Sequence, residues 1–252
     1  LVSFASQVKA ELCRQPPRKK CCAVAMAYGA LLYCNTFSPR EIRLVTASGE
    51  FASLLPRLFR RAFGLGFDEQ PEPEAQGKRR FLITEPEKTA AVFRAFGMEP
   101  EDTLALHINL GVLESDCCRA SFVRGAFLAG GSVTDPLKSY HLELVTAHAS
   151  VSRELGSLLY ELGFEPGQAR RGANYVSYFK QSETIADFLT AIGAPVAALD
   201  VMSAKVERDM RNEINRKVNC DTANADKTVA AAQQQLEAIR AVEREYGLDG
   251  LP

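Results

Sequence analysis

One pattern occurs twice in this chain, and that duplication restricts it to folds built from two similar halves. Cys21-Cys22 precedes Gly29 as Cys117-Cys118 precedes Gly125, the two sets lying 96 residues apart. YGALLYCNTF (28–37) lies over RGAFLAGGSV (124–133), and EIRLVTA (41–47) over HLELVTA (141–147). GKRRFLITEPEKTAAVFRAFG (77–97) then lies over GANYVSYFKQSETIADFLTAIG (172–193) with one residue inserted. The small changes of offset between these blocks are what loops of unequal length produce.

Each half reads as α-β-α-β-β-α. A helix of about 12 residues starts near the Cys pair, and Ser38-Pro39 or Asp135-Pro136 marks the turn after it. An alternating strand follows at 41–47 or 140–146, with Ile42, Leu44 and Thr46 on one face. An amphipathic helix at 50–64 or 148–162 ends at Gly64 or Gly163, and a last helix at 86–96 or 182–192 also stops at glycine. Between them lies a hairpin, with Arg171-Gly172 near its turn in the second half, and one further short strand stays unplaced. On the first helices, Ala25 and Gly29, and Ser121, Gly125 and Ala129, recur four apart. Such stripes lack bulk and let two helix backbones approach across a pseudo-two-fold axis. A helical glycine costs about 1 kcal/mol against alanine, so its recurrence in both halves asks for a packing reason.

Composition narrows the class. At 252 residues the chain is 46% hydrophobic and 24% charged, enough apolar material for a sizeable core. Its formal net charge of −1 lacks the signature of a pervasively basic nucleic-acid binder but allows local basic patches. No run approaches a bilayer span, and LVSFASQVKAEL, with Glu11 and no long apolar stretch, is not a secretory signal. Residue 1 is Leu rather than Met, so the start is non-standard or trimmed. Seven cysteines, an odd number, read as reduced thiols in a cytoplasmic protein.

The segment FVRGAFLAGGSV (122–133) resembles the signature helix and turn of LAGLIDADG homing endonucleases, with Gly125 at the helix interface and Gly131, Ser132 and Val133 leading into the strand. The chain from residue 3 to about 245 resembles the WhiA family of sporulation regulators. That likeness is carried by SFASQVKAEL (3–12), RKKCC (18–22), RGAFLAGGSVTDPLKSYHLE (124–143) and RDMRNEINRKVNCDTANADKT (208–228). The resemblance implies an α+β fold of tandem LAGLIDADG-like repeats, helices packed on antiparallel sheets that form a saddle. It implies an N-terminal helix and basic segment over 1–20 and a LAGLIDADG-like domain over 21–199, with repeats near 21–100 and 117–199. A helical linker over 200–252 would then lead toward a helix-turn-helix lying beyond Pro252. It further implies a DNA-binding transcriptional regulator of sporulation or cell division in Gram-positive bacteria, cytoplasmic and nucleoid-associated. The expected partners are double-stranded DNA and another regulatory protein, with no membrane.

The nucleases hold divalent metals with one acid at the end of each signature helix. Here those positions carry Leu32 and Leu128, and the next acid-tolerant positions carry Cys34 and Gly130. Asp135 has Pro39 as its counterpart, so no symmetric acid pair forms. The expectation is a fold without catalysis, hence no enzyme, no catalytic residue and no cofactor.

Basic residues mark the candidate phosphate contacts: Arg18, Lys19 and Lys20 before the first helix, with Arg14 nearby, Arg43, Lys78 and Arg80 (with Arg79) on strands of the first half, and Arg170 and Arg171 at the second hairpin. The acidic run Asp68–Glu74 reads as a disordered loop or hairpin tip. In 199–220, Met202, Val206, Met210, Ile214 and Val218 recur four apart, with Lys205, Arg208, Arg211, Arg216 and Lys217 on other faces. This is either a basic helix that touches DNA or a connector packed on the core. Asn219, Asp221, Thr222 and Asn224 are expected to break it. A final helix over 226–245, capped by Asp226 or Asn224, carries Val229, Ala232, Leu236, Ile239 and Val242. Adjacent cysteines point about 100° apart on a helix and are poor chelators, so the Cys pairs read as buried structural thiols and no metal is expected. His107, His141 and His148 form no metal-binding spacing, and GLGF (64–67) is too short for a dinucleotide fingerprint. Against the regulator stands an interaction module binding a protein or small ligand without touching DNA. A metal-dependent nuclease is the third reading.

Overall fold

The computed structural model describes residues 2–72, 75, 77–100 and 105–247. The chain divides into two units, Leu1–Ser203 and Ala204–Pro252.

In the first unit, α1 (Phe4–Cys13) starts where the Ser3 hydroxyl accepts the Ser6 amide at 3.2 Å. The first repeat follows as α2 (Lys20–Leu32), β1 (Thr36–Phe37), β2 (Ile42–Thr46), α3 (Gly49–Phe63), β3 (Arg79–Ile83) and α4 (Pro86–Ala95). The second runs as α5 (Asp116–Gly130), β4 (Gly131–Val133), β5 (Leu142–Thr146), α6 (Ala149–Glu161), β6 (Gly167–Arg171), β7 (Asn174–Phe179) and α7 (Ser182–Ile192). The strands form two antiparallel sheets, ordered β1-β2-β3 and β4-β5-β7-β6. The short strand missing from the sequence reading is β1 or β4, directly after each signature helix.

The alternation works as strand geometry requires. Ile42 and Leu44 on β2, and Leu142 and Leu144 on β5, turn inward and are buried, while Arg43 is exposed. The glycines chosen as helix stops all take positive φ: Gly64 at 75°, Gly97 at 68°, Gly163 at 86° and Gly193 at 100°. A left-handed residue ends a helix by turning its amide onto the last carbonyls, and glycine does so without a Cβ penalty.

The repeats differ at the hairpin. β6 pairs fully with β7, but its counterpart in the first repeat is reduced to one bridge, Glu69 to Leu82. Pro71 follows and supplies no amide for a strand. The acidic run is therefore not simply a loose loop, although Pro73 and Glu74 lie outside the described residues. The Asp68 carboxylate accepts the amides of Thr84 and Glu85 at 2.6 and 2.9 Å and pairs with Lys88. Burial alone would raise its pKa, but the Lys88 and backbone hydrogen bonds outweigh that and hold it at about 2, against an ordinary 3.8. A depressed pKa means its stabilisation is present above the unfolded value and is lost as pH falls toward the folded one. Asp68→Asn is expected to cost about 1–2 kcal/mol at neutral pH. Urea unfolding should show the wild type losing that margin between about pH 4 and 2. An Asp68→Asn variant that follows the wild-type profile in that window would refute the assignment.

Two anchors tie connectors to the repeat core. Tyr28 is buried against Phe96, ring centroids 4.2 Å apart; its hydroxyl donates to the His107 carbonyl and accepts the Asn109 amide at 2.9 Å. Arg124, its repeat counterpart, donates to the carbonyls of Gln15 and Ile192. The Glu154 carboxylate also accepts the Ile108 amide at 2.7 Å, so the inter-repeat segment is gripped from both halves.

The last helix, α8, runs Pro195–Tyr246. Its first free amides, Val196 and Ala197, donate to the Glu11 carboxylate at 2.8 and 3.0 Å, a charged cap for an otherwise unsatisfied helix start. In the second unit α8 corrects two expectations. It does not break at Asn219–Asn224, and 226–245 is not a separate helix. Asn224 bonds back along its own helix, its Nδ2 donating to Cys220 Sγ at 3.7 Å, and the Asn224 carbonyl accepts Thr228 Oγ1 at 2.9 Å. Each Asn, Asp or Thr costs a helix under about 0.7 kcal/mol, which the Ala- and Gln-rich flank tolerates. The stripe of Val206, Met210, Ile214 and Val218 is exposed, each residue 56–60% accessible.

Candidate nucleic-acid interface

The signature helices α2 and α5 meet at their glycines. A Cβ added at Gly29 would stand 2.0 Å from the Phe122 carbonyl oxygen, and one at Gly125 would stand 1.9 Å from that of Met26. The small-residue stripes are therefore the crossing point of the two repeats.

The helix ends that such a crossing brings together carry no carboxylate. Leu32 and Leu128 are buried. Cys34 donates its thiol to the Thr36 carbonyl at 3.1 Å, and burial pushes its pKa up to about 12. Gly130 has no room for a side chain, since a Cβ there would lie 2.6 Å from the Val145 carbonyl oxygen and 2.9 Å from the Tyr33 ring. The Leu32 carbonyl accepts the Thr146 hydroxyl at 3.0 Å, so a side chain of the second repeat closes the end of the first repeat's helix. Asp135 is occupied in its own turn, accepting the Leu137 amide at 3.0 Å. Among the described residues, the one group of three or more His, Cys, Asp or Glu side chains able to share a metal ion consists of cysteines at the opposite ends of these helices.

The strand cations lie on surfaces that already contain acids. Arg43 is exposed on β2 and pairs with Glu41 at 3.1 Å. Arg80 pairs with Glu69 at 2.7 Å, and Lys78 is exposed just before β3. Arg171 reaches Glu143 on β5 at 2.9 Å, whereas Arg170, its neighbour on β6, faces the other side of the sheet, over Tyr175. Arg171, with His141 beside it, holds the Glu143 carboxyl below the usual range. Glu143 is the counterpart of Arg43, so equivalent positions of the two sheets carry opposite charges. With Tyr178 opposite Glu143 and Lys180 over that ring, the second sheet presents a mixed polar surface rather than a cationic track. The repeat alignment contained that charge reversal, but choosing residues by positive charge alone passed over Glu143, His141 and Tyr178.

Arg18, Lys19 and Lys20 are exposed where α2 begins. In the second unit Arg211, Arg216 and Lys217 are exposed, and among the described residues no acid lies within ion-pair distance of them. Arg208 is half-buried on the same helix. Within the first unit the candidate cations lie on separate elements: the start of α2, the first sheet and the β6–β7 hairpin.

A family model for the WhiA LAGLIDADG-like domain matches residues 119–211, and one for the WhiA C-terminal helix-turn-helix domain matches 214–252. The chain is 34% identical over 259 residues to the probable cell division protein WhiA of Ruminiclostridium cellulolyticum, covering 100% of this chain and 83% of that protein. It belongs to the WhiA family. The protein of the same name from Clostridium botulinum strain Hall is 32% identical over 265 residues, with 100% and 84% covered. Among solved structures, full-length DUF199/WhiA from Thermatoga maritima shares the fold with a TM-score of 0.71 at 22% identity, covering 100% of this chain and 83% of that one. The N-terminal LAGLIDADG domain of DUF199/WhiA matches with a TM-score of 0.58 at 20% identity, over 77% of this chain and 94% of that one.

The match at 214–252 corrects one expectation. The WhiA helix-turn-helix region does not lie wholly beyond Pro252; it begins inside α8. Composition alone does not distinguish a linker from the opening helix of a small domain, so the Asn- and Asp-rich segment carries no sequence signal of this match. No helix among the described residues is long and apolar enough to cross a membrane.

Proposed function

We propose that this chain is a DNA-binding transcriptional regulator acting in sporulation or cell division of Gram-positive bacteria, whose LAGLIDADG-like region is catalytically inactive. The observation that carries the reading is the helix-turn-helix family match at 214–252, in one chain with an endonuclease-like repeat pair. Its relatives' name supports the cell-division assignment. Inactivity follows from chemistry. Metal-assisted hydrolysis needs carboxylates to hold the ions. Leucine and glycine offer no ligand atom, and Gly130 cannot become an acid without displacing the Val145 backbone. The division of labour is then a scaffold over 21–199 and a DNA-directed segment over 200–252, in a cytoplasmic, nucleoid-associated protein.

A second reading assigns the repeat pair to a regulatory protein or small ligand rather than to DNA. The ion pairs of Arg43, Arg80 and Arg171 favour it for the sheets, since a cation already paired gains less from a phosphate. Gel-shift titration of the 252-residue chain on duplex DNA tests the whole proposal. Retention that weakens steeply with salt, and intact plasmid after incubation with Mg²⁺, is the expected result. No retention at low salt would overturn the DNA assignment, and cleavage would overturn the inactivity.

A further inference from the structure

Three of the four cysteines that identified the repeat meet in space, and the fourth lines the adjoining cleft. Cys21 and Cys22 are the second and third residues of α2, and Cys117 and Cys118 are the second and third of α5. The Sγ atoms of Cys21, Cys22 and Cys118 all lie within 4.8 Å of one another. Cys117 stands outside this group of three but lines the same cleft as Cys22. By sequence, Cys117 and Cys118 occupy in α5 the positions that Cys21 and Cys22 occupy in α2.

We propose that these four cysteines form a tetrathiolate site for one zinc ion, clasping the N-terminal ends of α2 and α5. The objection from sequence, that adjacent helical cysteines diverge, holds for one pair on one helix. Two pairs presented face to face remove it, because each helix contributes ligands from its own side. Tetrahedral zinc with Zn–S bonds near 2.3 Å sets its sulfurs about 3.8 Å apart; rotation about the Cys side chains draws the three close sulfurs in and turns that of Cys117 toward them. Burial supports a ligand role over simple packing. Cys22 and Cys118 are buried, but Cys21 and Cys117 are exposed, and filling a core does not require exposed thiols at the same place in both repeats.

The electrostatics suit a thiolate cluster. Both helices aim their amide ends at it, which favours negative charge there. Zinc with four thiolates carries net negative charge, and Arg14, Arg18, Lys19 and Arg124 line the cleft that Cys22 and Cys117 share. A disulfide would join only two of the sulfurs and leave the others unused. The site would lock the two repeats together at the ends of the helices that cross at Gly29 and Gly125.

The test strips the 252-residue chain with a chelator under anaerobic, reducing conditions and titrates it with Co²⁺, then Zn²⁺. The expected result is one equivalent of cobalt, with intense tetrahedral d–d bands and thiolate charge-transfer absorption, displaced by one equivalent of zinc. Cys21→Ser/Cys117→Ser, two exposed positions whose folding is checked by circular dichroism, should abolish these bands. Cys21→Ser alone keeps three thiolates and should lower the charge-transfer intensity by about a quarter. Cys220→Ser, an exposed thiol elsewhere, should change nothing. The proposal is overturned if the reduced chain takes up no tetrahedral cobalt, if the bands survive in the double variant, or if Cys220→Ser removes them.

Discussion

Replacing Gly125 by alanine should destabilise the first unit by about 3–5 kcal/mol, a large fraction of the 5–15 kcal/mol typical of whole proteins. The added methyl would stand 1.9 Å from the Met26 carbonyl oxygen and 3.0 Å from the Ala30 amide. Both atoms belong to the backbone of α2, so no side chain can rotate away. The helices must separate, and the packing of Met26, Phe122 and Tyr28 between them loosens. Helix propensity works the other way, favouring alanine by about 1 kcal/mol, so the net loss measures the contact rather than the local preference. Gly29→Ala should behave alike, its methyl 2.0 Å from the Phe122 carbonyl oxygen. Gly66→Ala, with nothing within 4 Å, is the neutral control. Urea unfolding decides the matter: if Gly125→Ala stays within about 1 kcal/mol of wild type, the close crossing is wrong.

The crossing was legible because a costly residue at the same place in two halves has few explanations. Helix ends were legible for a similar reason, since Gly64, Gly97, Gly163 and Gly193 occupy conformations that other residues avoid. Features that depend on what lies opposite a residue were not legible. Asp68 looked like part of a solvated acidic run until β3 and α4 brought two amides and Lys88 to it. The acids beside Arg43, Arg80 and Arg171 were equally hidden, because only the strand pairing and the hairpin bring Glu41, Glu69 and Glu143 to them. The continuity of α8 through Asn219–Asn224 is not legible from its turn-forming residues taken singly, because a helix averages its preferences over many turns. The four cysteines show the same limit. Each pair taken alone has poor ligand geometry, and only the docking of α2 on α5 sets one pair against the other.

The ion pairs on the sheets lead to the second large expected effect. A phosphate that approaches Arg43 must compete with Glu41, and one that approaches Arg171 must compete with Glu143 and feel that carboxylate's repulsion. Exposed Arg211, Arg216 and Lys217 face no such competitor among the described residues and lie on the helix where the helix-turn-helix match begins. They spread around α8 rather than sharing one face, so about two of the three can reach phosphates at once. Replacing all three by alanine is expected to lower the slope of log K against log salt by about 2 and to weaken duplex binding roughly fiftyfold near 0.1 M salt. All three are exposed and support no packing, so the unfolding midpoint should stay where it is. The matching triple replacement of Arg43, Arg80 and Arg171 should leave affinity within about threefold and the slope unchanged, because each removes a cation already neutralised in place. Fluorescence anisotropy on a labelled duplex across a salt series separates the two sets. If the sheet variant instead loses both affinity and slope while the α8 variant keeps them, DNA lies on the sheets, and the division of labour proposed for the two regions is reversed.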